Sequence, residues 1–289
     1  TEDCRVLLDV IADTFRQENL DFYAGTGYRH CMLINRRHPQ GHTDYLCVPP
    51  HDILDRQIGA YLPQGKDAAF LIDMMRRSYD LLKDHPINLA REARGLNPAN
   101  AIWIWGQGVR PELPSFEQKY GVRGTVISAV DLIKGIGSFA GMETPPVPGA
   151  TGTIHTDYEA KVRRAIEAYK SGQDFVYMHI EGTDECSHQG NLEAKIRCAE
   201  YIDDRVARPL CEYLRAAGEP FRVLIIPDHR TPLAIRTHSA DPVPYVLYDS
   251  RDETAPDSRK QFHERAAAES GNYCEEGYTL ADRFFGRNG

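Results

Sequence analysis

Leu7, Leu8, Ile11 and Phe15 recur at the spacing of one helical face, which predicts an amphipathic helix over residues 3–18. Two apolar runs around a glycine turn follow in "DFYAGTGYRHCMLIN" (21–35) and read as two strands. A polar, Pro-rich stretch extends to about residue 65. Leu71, Met75, Tyr79 and Leu82 then mark a helix over 67–84, opened by Asp67 as its cap. "GLNPAN" (95–100) clusters residues that break helices and strands, so the expected boundary separates 1–97 from 98–289.

The rhythm changes beyond that point. "AIWIW" (101–105), "GTVISAV" (124–130), "DFVYMHI" (174–180), "RVLIIP" (222–227) and "YVLYD" (245–249) have the length and composition of buried strands. Helical patterns lie between them at 157–171 and 192–215. The second sets Leu192, Ile196, Ala199, Ile202, Val206, Leu210 and Leu214 on one face. Short apolar strands alternating with helices predict an α/β fold, a mostly parallel sheet with helices on both faces. The first segment is expected to be a smaller α+β domain. No internal repeat is visible.

Composition narrows the functional classes. The chain of 289 residues is long enough for a substantial core, and its 42% hydrophobic content is ordinary for a globular protein. A net charge of −8 argues against nucleic acid as the main partner. No apolar run has the length of a membrane span, and no basic-then-apolar leader is visible. Thr1 rather than Met stands first, which reads as a processed or cut chain. Seven scattered cysteines without a C-x-x-C point to a reducing, cytoplasmic setting rather than a disulfide framework.

The chemistry gathers at predicted strand ends, where α/β sheets collect functional groups. Asp184 and His188 follow the strand 174–180. Asp228 and His229 follow 222–227, and His238 precedes 245–249. Two carboxylates and three imidazoles suit Mn²⁺ or Zn²⁺, with Mg²⁺ also open. A pair of such ions about 4 Å apart can activate a nucleophile and neutralise a transferring phosphoryl group. His42, His85, His155 and His263 lack that setting. His179 lies inside a strand and is expected in the core or beside the ligands.

Taken together, "HIEGTDECSHQGN", "IIPDHRTPLAIRTHSADPVPY" and "GTVISAVDLIKGIG…PGATG" resemble the archaeal-type, cofactor-independent phosphoglycerate mutases of the alkaline phosphatase superfamily. The resemblance extends from "FYAGTGYRH" to "AAAESGNYCEEGYTLADRFF". It implies a glycolytic isomerase that moves a phosphoryl group between the 3- and 2-hydroxyls of glycerate through a phospho-Ser. Asp184, His188 and His238 would hold one metal, and Asp228 and His229 the other. It also implies a cap domain over 1–97 that binds the small phosphorylated substrate. Arg29 in "YRH", with its bidentate fork, and His51 or Asp52 in "PPHDI" match that cap. Lys134 in "DLIKGIG" would meet the phosphoryl group.

The family pattern also includes an upstream strand with a metal-binding Asp and the phosphorylatable Ser, and neither segment is matched here. Thr183, Ser187 and Thr237 stand near the ligands, but none matches the nucleophile's motif. The expectation is therefore an alkaline phosphatase-like but incomplete fold, inactive by itself; the intact ligand set favours a fragment of a working enzyme, with a degenerate, non-catalytic metal-binding relative as an alternative. "IWIWGQG" (102–108) keeps a homoserine kinase-like phosphotransferase open as an alternative.

Overall fold

The computed structural model describes residues 2–25, 28–34, 44–50, 53, 56–252 and 261–286. The chain divides into two compact units, 1–111 and 112–289.

In the first unit, helix α1 (Glu2–Phe15) buries Leu7, Leu8, Ile11 and Phe15, the stripe expected from sequence. Leu7, Ile11 and Phe15 form one core with Leu20, Met74 and Leu82. Each such side chain contributes about 1.5–3 kcal/mol on full burial. Strands β1 (Leu20–Ala24) and β2 (His30–Ile34) pair antiparallel, from Leu20 opposite Ile34 to Ala24 opposite His30. Helix α2 (Ala68–Leu82) buries Leu71, Met74, Met75 and Leu82. Two details differ from the sequence reading. Asp67 precedes α2 without a capping hydrogen bond, and Tyr79 is exposed. The short helix α3 (Pro86–Glu92) is capped by the His85 ring, which accepts from Ile87 N–H.

The expected boundary at 95–100 falls inside this first unit. Asn88, fully buried in α3, exchanges hydrogen bonds with the backbone of Ala99. The segment 101–105 is extended but forms no strand. Its Ile102 N–H donates to the Ser78 hydroxyl and Trp103 Nε1 donates to the Val48 carbonyl. Ile102 and Ile104 pack on the core. These two hydrogen bonds and the packing of Ile102 and Ile104 hold the segment to the first unit past the Pro/Gly-rich stretch.

In the second unit, α4 (Phe116–Tyr120) precedes β3 (Gly124–Ile127), which is buried throughout. Strand β3 pairs in parallel with β4 (Phe175–Met178), Gly124 opposite Phe175 and Ile127 opposite Met178. Helices α5 (Asp131–Phe139) and α6 (Tyr158–Lys170) lie between them in sequence, the crossover that a parallel pair requires. Asp157 caps α6. Helix α7 (Gly182–His188) leaves the end of β4 and is followed by α8 (Leu192–Ile202) and α9 (Arg208–Ala217), joined by a π-helical turn at Asp203–Ala207. Tyr158, Val162, Cys198 and Val206 form the helical core.

The expected stripe holds only in part. Leu192, Ile196 and Ala199, all ahead of the π turn, are exposed and Cys198 is buried instead, while Val206 within the turn is buried as expected.

Strands β5 (Arg222–Ile225) and β6 (Val246–Asp249) pair antiparallel, not parallel. The connection between them returns as a hairpin, closed by the bridge between Arg230 and Ser239, and supplies no crossover helix. The α/β class stands, but the described strands form three separate pairs. Helices α10 (Glu264–Glu269) and α11 (Leu280–Phe284) follow; Phe175, Phe284 and Phe285 cluster with Phe116 and tie α11 to β4.

Candidate metal centre

Two connections build the site. The first runs from β4 into α7, so Asp184 and His188 sit on a short helix one turn apart rather than on a loop. Residues four apart share a helical face, and the His188 Nε2 lies 3.2 Å from Asp184 Oδ2. Gly182 lets α7 approach α8: a Cβ there would stand 2.8 Å from the Cys198 sulfur. The second connection is the β5–β6 hairpin. Its bridge brings His229 beside His238, with ring centroids 3.8 Å apart.

Both connections meet at one point. His238 Nε2 lies 3.4 Å from Asp184 Oδ1 and 3.2 Å from His188 Nε2. The three potential ligand atoms all fall within 4.8 Å of one another. Atoms bound to one Zn²⁺ or Mn²⁺ at about 2.0–2.2 Å stand roughly 2.8–3.6 Å apart, from the edge of an octahedron to that of a tetrahedron. The donor set fits in tautomer as well. His188 Nδ1 lies 2.9 Å from the Arg236 carbonyl, which can only accept. The proton therefore sits on Nδ1 and the Nε2 lone pair faces Asp184 and His238. Converging lone pairs repel unless a proton or cation lies between them. Arg236 itself adopts a left-handed φ of 51°, unusual outside glycine, in the turn that presents this carbonyl.

Asp228 and His229 form an adjoining set. Asp228 Oδ2 is 3.4 Å from His229 Nε2 and its side chain is largely exposed. The Asp228 charge reaches Tyr177 and His179. Burial raises the Tyr177 pKa and Asp228 raises it further. Burial lowers the His179 pKa, and Asp228 opposes that shift. His179 Nδ1 lies 3.3 Å from the Ser128 hydroxyl.

The remaining candidates are distributed. Lys134 lies in α5 and is paired with Asp131 at 2.7 Å. Arg29 is exposed in the first unit, its guanidinium 5.6 Å from the centre of the Tyr28 ring. His51 and Asp52 lie outside the described residues. Ser187 is fully buried and donates to the Thr183 carbonyl, so its hydroxyl is turned into its own helix. The sequence reading overlooks Thr231, whose buried hydroxyl donates to Asp184 Oδ1 and lies 3.2 Å from His229 Nδ1. It also overlooks Lys195, which donates to the Thr231 carbonyl. The only sequence signal for Thr231 is its place two residues after "DH".

Comparison with known proteins identifies the chain's relatives. A family described as the Metalloenzyme superfamily matches residues 34–280. The 2,3-bisphosphoglycerate-independent phosphoglycerate mutase of Methanothrix thermoacetophila is 48% identical over 89% of this chain and 64% of its own length. The Geobacter sulfurreducens protein named Probable 2,3-bisphosphoglycerate-independent phosphoglycerate mutase is 40% identical over 99% of this chain and 70% of its own. The chain thus spans about two thirds of the length of the curated relatives it matches. The solved cofactor-independent phosphoglycerate mutase of Thermoplasma acidophilum has the same fold, with a TM-score of 0.60 at 22% identity over 99% of this chain and 70% of that one. Identity of this extent, joined to the match over residues 34–280, shows that the chain belongs to the 2,3-bisphosphoglycerate-independent phosphoglycerate mutase family of the Metalloenzyme superfamily.

Proposed function

We propose that this chain carries the metal-binding part of a phosphoglycerate mutase, which interconverts 3-phosphoglycerate and 2-phosphoglycerate. The observation that carries the reading is the convergence of Asp184, His188 and His238 from two connections of a chain in this family. Membership of the Metalloenzyme superfamily implies a divalent metal.

In this reading Asp184, His188 and His238 hold one Mn²⁺ or Zn²⁺, and Asp228 and His229 contribute to a second. Bound there, the ions supply positive charge to phosphoryl oxygens and to an attacking hydroxyl. The chain's own residues prepare that site. The Arg236 carbonyl holds the His188 ring in its ligand tautomer, and α7 fixes the Asp184 carboxylate one helical turn away. Arg29 and Lys134 remain the proposed contacts to the substrate's carboxylate and phosphate, with His51 and Asp52 beside its hydroxyls. Lys134 would exchange Asp131 for phosphate. Seven free cysteines support a reducing, cytoplasmic setting, and no described helix is long and apolar enough to cross a membrane.

The homoserine kinase reading is not favoured. The relatives carry the mutase name, and Ile102, Trp103 and Ile104 of "IWIWGQG" are engaged in packing and hydrogen bonds within the first unit. The test is a coupled mutase assay on the gene product carrying this sequence, before and after chelation, with a parallel assay on homoserine and ATP. Mutase turnover lost on chelation and restored by Mn²⁺ is expected. Turnover only with homoserine and ATP would reverse the assignment.

A further inference from the structure

Thr231 is 6% exposed and occupies the interval between the two proposed ligand sets. Its backbone is fixed from two sides. Lys195 on α8 donates to its carbonyl at 2.9 Å, and Pro232 follows it in the hairpin. Its hydroxyl reaches one residue of each set. It donates to Asp184 Oδ1, and it lies 3.2 Å from His229 Nδ1.

A hydroxyl has one proton and two lone pairs. An ionised carboxylate only accepts, so the Thr231 proton is committed to Asp184. The oxygen then presents a lone pair to His229, and Nδ1 of that ring must carry the hydrogen. In a neutral imidazole the remaining lone pair is on Nε2. That atom stands 3.4 Å from Asp228 Oδ2, an arrangement of lone pair against carboxylate that a cation between them would relieve. His188 reaches the same protonation pattern through the Arg236 carbonyl. The two histidines thus acquire the same free nitrogen by different means, one from a backbone carbonyl and one from a side-chain hydroxyl.

We propose that Thr231 is a positioning residue that couples the two ligand sets: its hydroxyl steadies the Asp184 carboxylate and holds His229 in the tautomer whose Nε2 can bind a metal. The proposal rests on the metal-site reading above. Hydrogen-bonding partners of metal ligands fix ring orientation and tautomer, and their loss typically lowers metal affinity about 10–100-fold.

Three variants and one spectroscopic measurement test it. Mn²⁺ titration by calorimetry is compared for wild type, Thr231→Val, Thr231→Ser and His188→Ala, with a thermal melt of each. The ring nitrogens of metal-free, ¹⁵N-histidine-labelled protein are read by NMR. Thr231→Val keeps the shape and removes the hydroxyl. It is expected to melt as a folded protein, to bind Mn²⁺ about 10–100-fold more weakly, and to lose the Nδ1–H preference of His229. Thr231→Ser is expected to restore both affinity and spectrum.

Weak binding by both Val and Ser variants would mean that Thr231 acts through packing, which overturns the proposal. So would unchanged binding by Thr231→Val while His188→Ala binds weakly. A wild-type His229 protonated on Nε2 alone overturns it whatever the variants do, including a Val variant that fails to fold. Unchanged binding by His188→Ala would instead remove the metal-site reading beneath it.

Discussion

The Nε2 atoms of His188 and His238 face one another at 3.2 Å across a sequence separation of 50 residues. One belongs to a helix that leaves a strand of the parallel pair, and the other to the hairpin of the antiparallel pair. The site therefore depends on both pairs holding their places. Asp184 lies close to both rings, so three donors meet although each connection supplies an incomplete set.

Replacing either histidine leaves two of those three donors. His188→Ala and His238→Ala are each expected to lower Mn²⁺ affinity by more than about 100-fold, beyond the loss usual for an outer hydrogen-bonding partner. Calorimetric titration reads this directly. An affinity that survives His238→Ala would remove the hairpin from the site.

Gly190 sits in the turn between α7 and α8 at a φ of 68°, and a Cβ there would stand 2.8 Å from the Arg236 Nε. A left-handed conformation costs a residue with a Cβ about 1–2 kcal/mol. Gly190→Ala is expected to lose about that much stability in urea unfolding and to weaken Mn²⁺ binding. The second effect follows because Arg236 carries the carbonyl that orients His188. Wild-type stability in this variant would contradict the turn described.

The ligand residues are legible in sequence because they stand next to short apolar strands, a local pattern with a general reason behind it. What joins them is less legible. The Arg236 carbonyl carries no sequence signal, and Thr231 is indistinguishable from any hydroxyl in a turn. Strand direction at β5–β6 is not legible, because two apolar runs separated by about 20 residues suit either a crossover or a long hairpin, and only tertiary contacts decide. The α1 stripe could be read because its helix is regular. The first part of the 192–215 stripe could not, because the face that α8 buries is set by the packing of Tyr158 and Val162 against Cys198, which the period of α8 alone does not reveal.

Asn88 joins α3 to the segment that follows it within the first unit. Its amide donates to the Leu82 and Ala99 carbonyls at 2.7 and 3.0 Å, and its oxygen accepts from Ala99 N–H at 2.9 Å. Asn88→Ala removes all three of these hydrogen bonds, each worth about 0.5–1.5 kcal/mol net, although the Leu82 carbonyl still accepts from His85 N–H. The expected outcome is a loss of about 2–4 kcal/mol in urea unfolding and faster amide exchange over residues 99–104. Exchange that is unchanged there would show that other contacts hold the segment.

Lys161 offers a prediction in pH. It is 1% exposed in α6, and its Nζ donates to the His179 carbonyl at 2.8 Å. Burial pushes its pKa from 10.5 down to about 8, against the opposing pull of Glu181. Between those two values the unfolded chain keeps the proton and the native protein has released it. The unfolded state then binds more protons, so stability rises with pH, and the gain is complete only near the unfolded value. The shift corresponds to on the order of 2–3 kcal/mol. Lys161→Met removes this contribution while leaving the His179 carbonyl without its donor, a cost independent of pH. The difference in unfolding free energy between wild type and variant isolates the effect, since every other titrating group is common to both. That difference should move in favour of wild type as pH rises from 8 towards 10. Two stability curves that stay parallel over this range would mean that Lys161 is solvated or already paired in the native protein.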